Sequence, residues 1–325
     1  MRAALYDHYG PASEVLRVED VETPEPGPGQ VRVRIEVSGI NPTDWKSRSG
    51  ATPRPMAGFQ IPHHDGTGVI DAVGEGVDPG RVGQRVWLWL AAAGSPWGTA
   101  AEWSLVPGEK AVPLPDNASA ELGASLGVPA ITAHRCLFAD GPVGGQTVLV
   151  SGGAGAVGHY AIELAKRAGA RVITTVSGPQ KAELAAKAGA DLVVNYREPG
   201  AVDEIRAFTA DAGVDRVVEV ALGANLKLDL AVVANGARIA CYAAEPTDPA
   251  VPVRSCMNAN LVLRFVLLYS MPPEAIAQAA RDITDAVAAG ALTELPVTRF
   301  GLDETAVAQD AVEAGAVGKV LVIPG

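Results

Sequence analysis

The sequence predicts an α/β fold in two parts: a mostly β portion, followed by an open sheet of parallel strands covered by helices. Three observations predict it. The first 120 or so residues alternate apolar and polar side chains among many Pro and Gly turns. From about residue 121 short apolar runs alternate with amphipathic helices, the pattern of right-handed strand–helix–strand crossovers. Between one such strand and its helix lies Ser151-Gly152-Gly153-Ala154-Gly155-Ala156-Val157-Gly158.

Taken in order, Val31-Arg32-Val33-Arg34-Ile35-Glu36-Val37 is a strand with its apolar face on the odd positions. Val69 to Val73 and Arg85 to Trp89 read the same way, and turn clusters such as Pro24-Glu25-Pro26-Gly27-Pro28-Gly29 separate them. Thr147-Val148-Leu149-Val150 is a continuous apolar run, as a strand buried on both faces requires. In the helix that follows, Val157, Tyr160, Ala161, Leu164, Ala165 and Ala168 recur at helical spacing. Arg171 to Val176 is the next strand and Lys181 to Ala188 the next helix. Asp191 to Val194, Val214 to Val220 and Ala237 to Tyr242 continue the alternation. A helix over Pro273 to Ala289, then Leu295 to Phe300 and a strand from Lys319 to Ile323, close the chain. Their pattern alone leaves open whether they extend the parallel sheet or return to the first part.

A chain of 325 residues, 48% hydrophobic and 19% charged, has the material for two cores. Lys+Arg 26 against Asp+Glu 37 leaves a net charge of −11, the wrong sign for a nucleic-acid partner. Cys136, Cys241 and Cys256 are far apart and contain no C-x-x-C, so they predict neither a disulfide framework nor a structural zinc site. They read as small buried residues in a reducing compartment. The N-terminus reaches charges at Arg2 and Asp7 before any apolar stretch of signal-peptide length. Leu261 to Met271 is the most apolar later segment, yet it contains Arg264 and is too short to span a bilayer. The expectation is a soluble, cytoplasmic protein with no membrane partner.

The glycine turn is the most informative motif. Gly152 permits a tight turn, Gly155 lets a pyrophosphate approach the backbone, and Gly158 lets the helix pack close on the strand. Phosphates would sit on the N–H groups of Ala156, Val157 and Gly158, where the helix dipole favours negative charge. This is a doubly wound, Rossmann-type dinucleotide site; a turn with incidental glycines is the alternative. An NAD-specific unit carries Asp or Glu at the end of the second strand, about 20 residues on. Here that strand ends Thr175-Val176-Ser177-Gly178-Pro179-Gln180-Lys181, with no acid. A hydroxyl, a glycine and a lysine suit a 2′-phosphate, so Ser177, Gly178 and Lys181 point to NADPH.

At this point the chain resembles the medium-chain dehydrogenase/reductases, and within them the zinc-free quinone oxidoreductases that include zeta-crystallin. The residues that carry the resemblance are Gly39-Ile40-Asn41-Pro42, Pro62-His63-His64-Asp65-Gly66-Thr67-Gly68 with Val73-Gly74, and Gly83-Gln84-Arg85-Val86. Gly127-Val128-Pro129-Ala130-Ile131-Thr132-Ala133, the glycine turn and Asn195-Tyr196-Arg197-Glu198 complete them. The resemblance implies a GroES-like, mostly β catalytic domain from residues 1–120 and 271–325, a Rossmann domain from 121–270, and a homodimer paired through an edge strand within Leu261 to Tyr269. It places Thr132 and Tyr242 beside the nicotinamide and Tyr196 beside the adenosine phosphate.

Zinc-dependent relatives place a cysteine where this chain has Asn41, a histidine and a glutamate at His64 and Asp65, and a second cysteine near Gly127. Of the two cysteines and the histidine, one possible ligand of three survives, so no metal is expected. Without a Lewis acid the acceptor must tolerate charge developing on oxygen. A quinone does, giving a hydroquinone anion, and an α,β-unsaturated carbonyl gives an enolate. The resemblance puts Asn41 beside the acceptor as an amide donor to that oxygen. Many zinc-free relatives have a tyrosine shortly after it, whereas this chain reads Asp44-Trp45-Lys46. Lys46 and His64 are the candidate substitutes as proton donors, with water the other source. Trp45, Trp89 and Trp97 are candidates for an aromatic wall. Asn-Pro-Thr-Asp-Trp-Lys at 41–46 is also similar to the start of some enoyl reductases of polyketide assembly, and a non-catalytic NADPH binder on the same scaffold is the reading from another class.

Overall fold

The computed structural model describes residues 1–56, 58–245 and 247–325. The chain divides into two compact units, Met1–Val128 with Glu294–Gly325, and Pro129–Thr293.

The first unit opens with an antiparallel pair, β1 (Arg2–Leu5) and β2 (Arg17–Asp20), flanking the short α1 (Ala12–Val15). β3 (Gln30–Gly39) buries Val31, Val33, Ile35 and Val37, the face expected from its period of two. α2 (Pro42–Ser49) follows at once, its first turn held by the Asp44 carboxylate, which accepts the Asn41 N–H at 2.7 Å. β4 (Asp65–Val73), β5 (Arg85–Leu88), β6 (Trp103–Pro107) and β7 (Ala111–Pro113) build an antiparallel sheet around β3. α3 (Ala120–Phe138) begins in this unit and runs on into the second through Pro129.

The second unit is the parallel sheet. In chain order it runs β8 (Thr147–Ser151), α4 (Ala156–Arg167), β9 (Arg171–Val176), α5 (Pro179–Lys187), β10 (Leu192–Asn195), α6 (Ala201–Phe208), β11 (Val214–Glu219), α7 (Leu222–Val232), β12 (Val233–Cys241), α8 (Val253–Asn258), β13 (Val262–Phe265) and α9 (Pro273–Ala288). The strand order is β10-β9-β8-β11-β12-β13 and every pairing is parallel. Both faces of the central strands are buried: Val148 and Val150 on one side of β8, Leu149 on the other. On α4, Tyr160, Ala161, Leu164 and Ala165 are buried as the helical spacing requires, each large side chain contributing about 1.5–3 kcal/mol.

The last segment returns to the first unit. β14 (Val297–Gly301) pairs in parallel with β15 (Lys319–Ile323), α10 (Thr305–Glu313) lies between them in sequence, and β15 pairs antiparallel with β3. The open alternative for the closing strands is thereby decided. The boundary differs from the expected 270/271, however, because α9 belongs to the parallel-sheet unit. Its Asp282 meets His134 of α3 at 2.8 Å, and Thr293 beyond it donates its N–H to Glu163 of α4 at 3.1 Å. The first boundary falls at 128/129 rather than 120/121, inside α3.

No helix of the structure is long and apolar enough to cross a membrane among the described residues. Cys136 and Cys241 are buried, Cys256 is half-buried, and all three are free.

Candidate functional sites in the two units

In the parallel-sheet unit the order of strands reverses direction between β8 and β11, and such a switch point opens a crevice at the carboxyl ends of the strands. The glycine turn leaves β8 there. Gly152 takes φ +73°, the left-handed conformation that makes the turn affordable. A Cβ on Gly158 would lie 2.3 Å from Gly152 O and 2.8 Å from Gly153 Cα, so the helix can approach the turn only with glycine at this position. A Cβ on Gly155 would meet nothing nearer than Gly152 O at 3.4 Å. The space beside Gly155 is therefore not filled by the protein, as expected of a seat for a ligand. The first intrahelical bond caught here is His159 N–H to Gly155 O at 2.8 Å, which leaves the N–H groups of Ala156, Val157 and Gly158 at the exposed start of the dipole.

The neighbouring strand ends at the same edge. Ser151 of β8 is in register with Thr175 of β9, and Val176 of β9 with Asn195 of β10. Ser177 and Gly178 thus leave β9 beside the glycine turn, Lys181 stands in the first turn of α5, and Tyr196, 44% exposed, follows β10. Tyr242 leaves β12 at this edge too; its N–H donates to Glu219 O at 3.1 Å, and burial pushes its hydroxyl pKa well above the usual value. Thr132 is buried on α3, away from any strand end in sequence. The residues needed to hold a dinucleotide phosphate are present and fit one.

Sequence reasoning missed two features of this edge. Gly153 is also tightly packed, since a Cβ there would lie 2.1 Å from Thr174 Oγ1 and 2.8 Å from Ile162 Cδ1. Glu219, at the end of β11, accepts from Ser151 Oγ at 2.6 Å and from Asn225 Nδ2 at 2.9 Å. Beside it the buried Asp229 carboxyl is pushed up to about 8, by burial and then by the charge of Glu219. The signal for the pair was an acid closing the apolar run Val217-Val218-Glu219.

In the first unit β3, α2, β4 and β15 bring a buried polar cluster together. Asn41, 3% exposed, is held at both ends of its side chain: Oδ1 accepts from Lys319 Nζ at 2.7 Å and Nδ2 donates to Asp65 Oδ2 at 2.7 Å. The other Asp65 oxygen accepts the Val128 N–H at 2.8 Å. Lys319 Nζ lies 3.7 Å from Asp65. Burial pushes the Asp65 carboxyl up and the Lys319 ammonium down, and their mutual attraction opposes both shifts. Asp44 is pushed up to about 7, chiefly by burial. Gly39 makes room for this arrangement, since a Cβ there would strike Ala124 O at 1.9 Å and the Lys319 stem at 3.2 Å.

A directional chain of hydrogen bonds supports the cluster. Arg48 donates to Gln309 Oε1 at 3.1 Å, which aims the Gln309 amide nitrogen at His63 Nε2, 3.2 Å away. His63 Nδ1–H then donates to Ser38 Oγ at 2.9 Å, Ser38 to Thr99 Oγ1 at 2.8 Å, and Thr99 to the Asp65 carbonyl at 2.6 Å. Every donor is committed, so His63 is neutral, and burial pushes its pKa down to about 3. His64 Nε2 faces Arg54 Nη1 at 3.3 Å and Asp44 Oδ1 at 3.9 Å. Burial, reinforced by Arg54, pushes its pKa well below the usual value, so its imidazole is neutral near pH 7.

The other candidates lie in the same unit. The Lys46 ammonium lies 5.8 Å from the ring of Trp45, its own neighbour. Trp97 packs edge-on to Phe59 at 5.4 Å, and the Lys110 ammonium lies 5.7 Å from the Trp89 ring. Catalytic zinc needs about three protein ligands. At Gly127 a Cβ would lie 2.2 Å from Asp65 Oδ1, leaving no room for a ligating side chain, and the Asp65 oxygens already serve Asn41, Lys319 and Val128. Among the described residues no three His, Cys, Asp or Glu side chains converge. The donor set does not fit zinc.

Comparison with known proteins gives two family matches: the alcohol dehydrogenase GroES-like domain over residues 27–116, and the zinc-binding dehydrogenase model over residues 156–285. A quinone oxidoreductase of Rattus norvegicus is 30% identical over 99% of this chain and 98% of its own. Among solved structures, an NAD-dependent alcohol dehydrogenase superposes with a TM-score of 0.90 at 29% identity, covering all of both chains. A mycobacterial protein complexed with NADPH does so with a TM-score of 0.87 at 31% identity, again over the full length of both.

Proposed function

Because the chain belongs to the medium-chain dehydrogenase/reductases, and quinone oxidoreductases are among its full-length relatives, we propose that it is an NADPH-dependent reductase of quinones or activated alkenes that works without metal. The observation that carries this reading is the acid-free end of β9, Ser177-Gly178 with Lys181, set beside a glycine turn whose Gly155 leaves space. An acid there would repel a 2′-phosphate; a hydroxyl and an ammonium attract one. That the mycobacterial neighbour holds NADPH agrees with this.

In this reading the N–H groups of Ala156, Val157 and Gly158 hold the pyrophosphate, and Ser177 and Lys181 hold the 2′-phosphate. Tyr196 stacks beside the adenosine, while Thr132 and Tyr242 border the nicotinamide. NADPH, when bound, supplies the hydride from its nicotinamide C4. Asn41 donates an amide N–H to the acceptor oxygen as negative charge develops on it. The proton that completes the hydroquinone comes from His64, from Lys46 or from water. The protein acts in the reducing cytoplasm, which three free cysteines suit. It pairs as a homodimer through the edge strand β13, where Val262, Phe265 and, just beyond, Leu267 are exposed.

A steady-state panel tests it: NADPH and NADH each against an ortho-quinone, an enone, an enoyl thioester and an aldehyde, followed by the absorbance of the reduced nicotinamide. Turnover of NADPH with the quinone, unchanged by a chelator, is the expected result. Turnover with NADH alone, or activity lost to the chelator, overturns the cofactor or the metal-free claim. Preference for the enoyl thioester selects the polyketide-type reductase, and NADPH binding with no turnover of any acceptor selects the non-catalytic binder.

A further inference from the structure

We infer that Lys319 is a positioning residue: its ammonium fixes the polarity of the Asn41 amide, so that one Nδ2–H is taken by Asp65 and the other is presented in one orientation to the acceptor oxygen. This rests on the reductase reading above. The geometry singles out the amide as the ammonium's partner. Nζ sits 2.7 Å from Asn41 Oδ1 but 3.7 Å from the Asp65 carboxylate, although a buried ammonium is drawn more strongly to a carboxylate than to an amide. The ammonium hydrogen-bonds the Asn41 amide and stands at ion-pair distance from Asp65.

The consequence follows from which groups donate and which accept. An ammonium only donates, so the amide oxygen must face Lys319. A carboxylate only accepts, so the amide nitrogen must face Asp65, which it does at 2.7 Å. Turning the amide over would set Nδ2–H₂ against the ammonium and Oδ1 against the carboxylate, two repulsions in a site where both residues are buried. Asn41 is pinned a third time by its own N–H, which donates to Asp44 Oδ2 at 2.7 Å. The remaining Nδ2–H therefore has a fixed direction, and a positive charge on the far side of the amide makes it a stronger donor. Lys319 is thus a built-in positive charge of this site, acting through Asn41 rather than on the acceptor itself.

The test uses the full chain with Lys319→Met, Lys319→Arg and the charge-balanced double variant Lys319→Met/Asp65→Asn. Two measurements are made on each: quinone reduction, and the side-chain amide signals of Asn41 in protein labelled with ¹⁵N-asparagine, assigned by their loss in Asn41→Ala. For Lys319→Met the expected results are a kcat at least tenfold lower, an NADPH KM within twofold of the parent, and rapid solvent exchange of Asn41 Nδ2–H. Lys319→Arg restores slow exchange and most of kcat. Should Lys319→Met fail to fold, the double variant carries the same expectation. Unchanged Asn41 signals and kcat in the variant lacking the ammonium overturn the inference. If the parent reduces no acceptor at all, the reductase reading falls alone, because the exchange measurement still decides whether Lys319 holds the amide.

Discussion

Replacing Gly155 and Gly158 separately by alanine distinguishes a glycine kept for a ligand from one kept for the fold. At Gly158 the new Cβ would lie 2.3 Å from Gly152 O and 2.8 Å from Gly153 Cα, both backbone atoms that no rotamer change can move aside. Overpacking of this kind costs about 1–3 kcal/mol, which for a chain of this size lowers Tm by roughly 1.5–4.5 °C. At Gly155, which caps α4, the new Cβ meets Gly152 O at 3.4 Å, an ordinary contact. Losing glycine's freedom in the unfolded chain is worth about 0.4–1 kcal/mol in favour of folding and offsets the weaker cap, so Tm should stay within about 1.5 °C. The methyl would nonetheless stand where the pyrophosphate must approach, weakening NADPH by at least about tenfold, or about 1.4 kcal/mol. Thermal unfolding and fluorescence titration with NADPH measure both quantities. A Gly155→Ala protein that binds NADPH like the parent would remove the phosphate from this turn, and a Gly158→Ala protein of parental stability would refute the packing argument.

Lys181→Ala should raise the KM for NADPH about tenfold and leave that for NADH unchanged, since only the 2′-phosphate loses a partner; equal effects on the two cofactors would displace Lys181 from that role. His63, held neutral with its pKa pushed down to about 3 against 6.5 in the unfolded chain, makes folding lose stability as pH falls from about 6.5 toward 3. At pH 5 this amounts to about 2 kcal/mol, visible as a difference in acid sensitivity between the parent and His63→Gln in urea unfolding at pH 7.5 and 5; parallel curves would contradict it. Asp44 works in the opposite sense, because a carboxyl pushed up to about 7 costs stability as pH rises from about 4 toward 7. The comparison therefore uses the difference between two proteins rather than either alone. Phe265→Glu, at a side chain 73% exposed on β13, should convert a dimer to a monomer in sedimentation velocity. A parent that already sediments as a monomer rules the edge strand out as an interface.

Local patterns carried most of the fold. A period of two in β3, an unbroken apolar run in β8 and helical spacing in α4 each express which face must leave water, and a single segment is enough to read that. The placement of α9 needed information no segment holds. Its amphipathic face would suit either unit, and the pairing of Asp282 with His134, 148 residues earlier, ties it to the parallel sheet. The glycine turn was legible for Gly152 and Gly158, because a strand and a helix on either side fix what those positions must do. Gly153 was not, because its reason is the Thr174 hydroxyl of the next strand.

The same distinction explains the polar cluster. Asn41 and His64 are marked out by the family resemblance, but their state is not. The proton on His64 depends on its burial and then on Arg54, and that on His63 on its burial, with its acceptor nitrogen facing Gln309, 246 residues away and itself aimed by Arg48. Lys319 lies between these cases. It opens Lys319-Val320-Leu321-Val322-Ile323, and alternation along a strand puts it on the face of Leu321, which is fully buried. A charge on a buried face demands partners, so the sequence already contains the question. The answer is 278 residues away at Asn41 and comes from the antiparallel pairing of β15 with β3, which sets Leu321 opposite Gly39, two residues before Asn41. Buried charges in otherwise apolar strands are thus where a sequence announces a site without identifying it, and register is the missing coordinate.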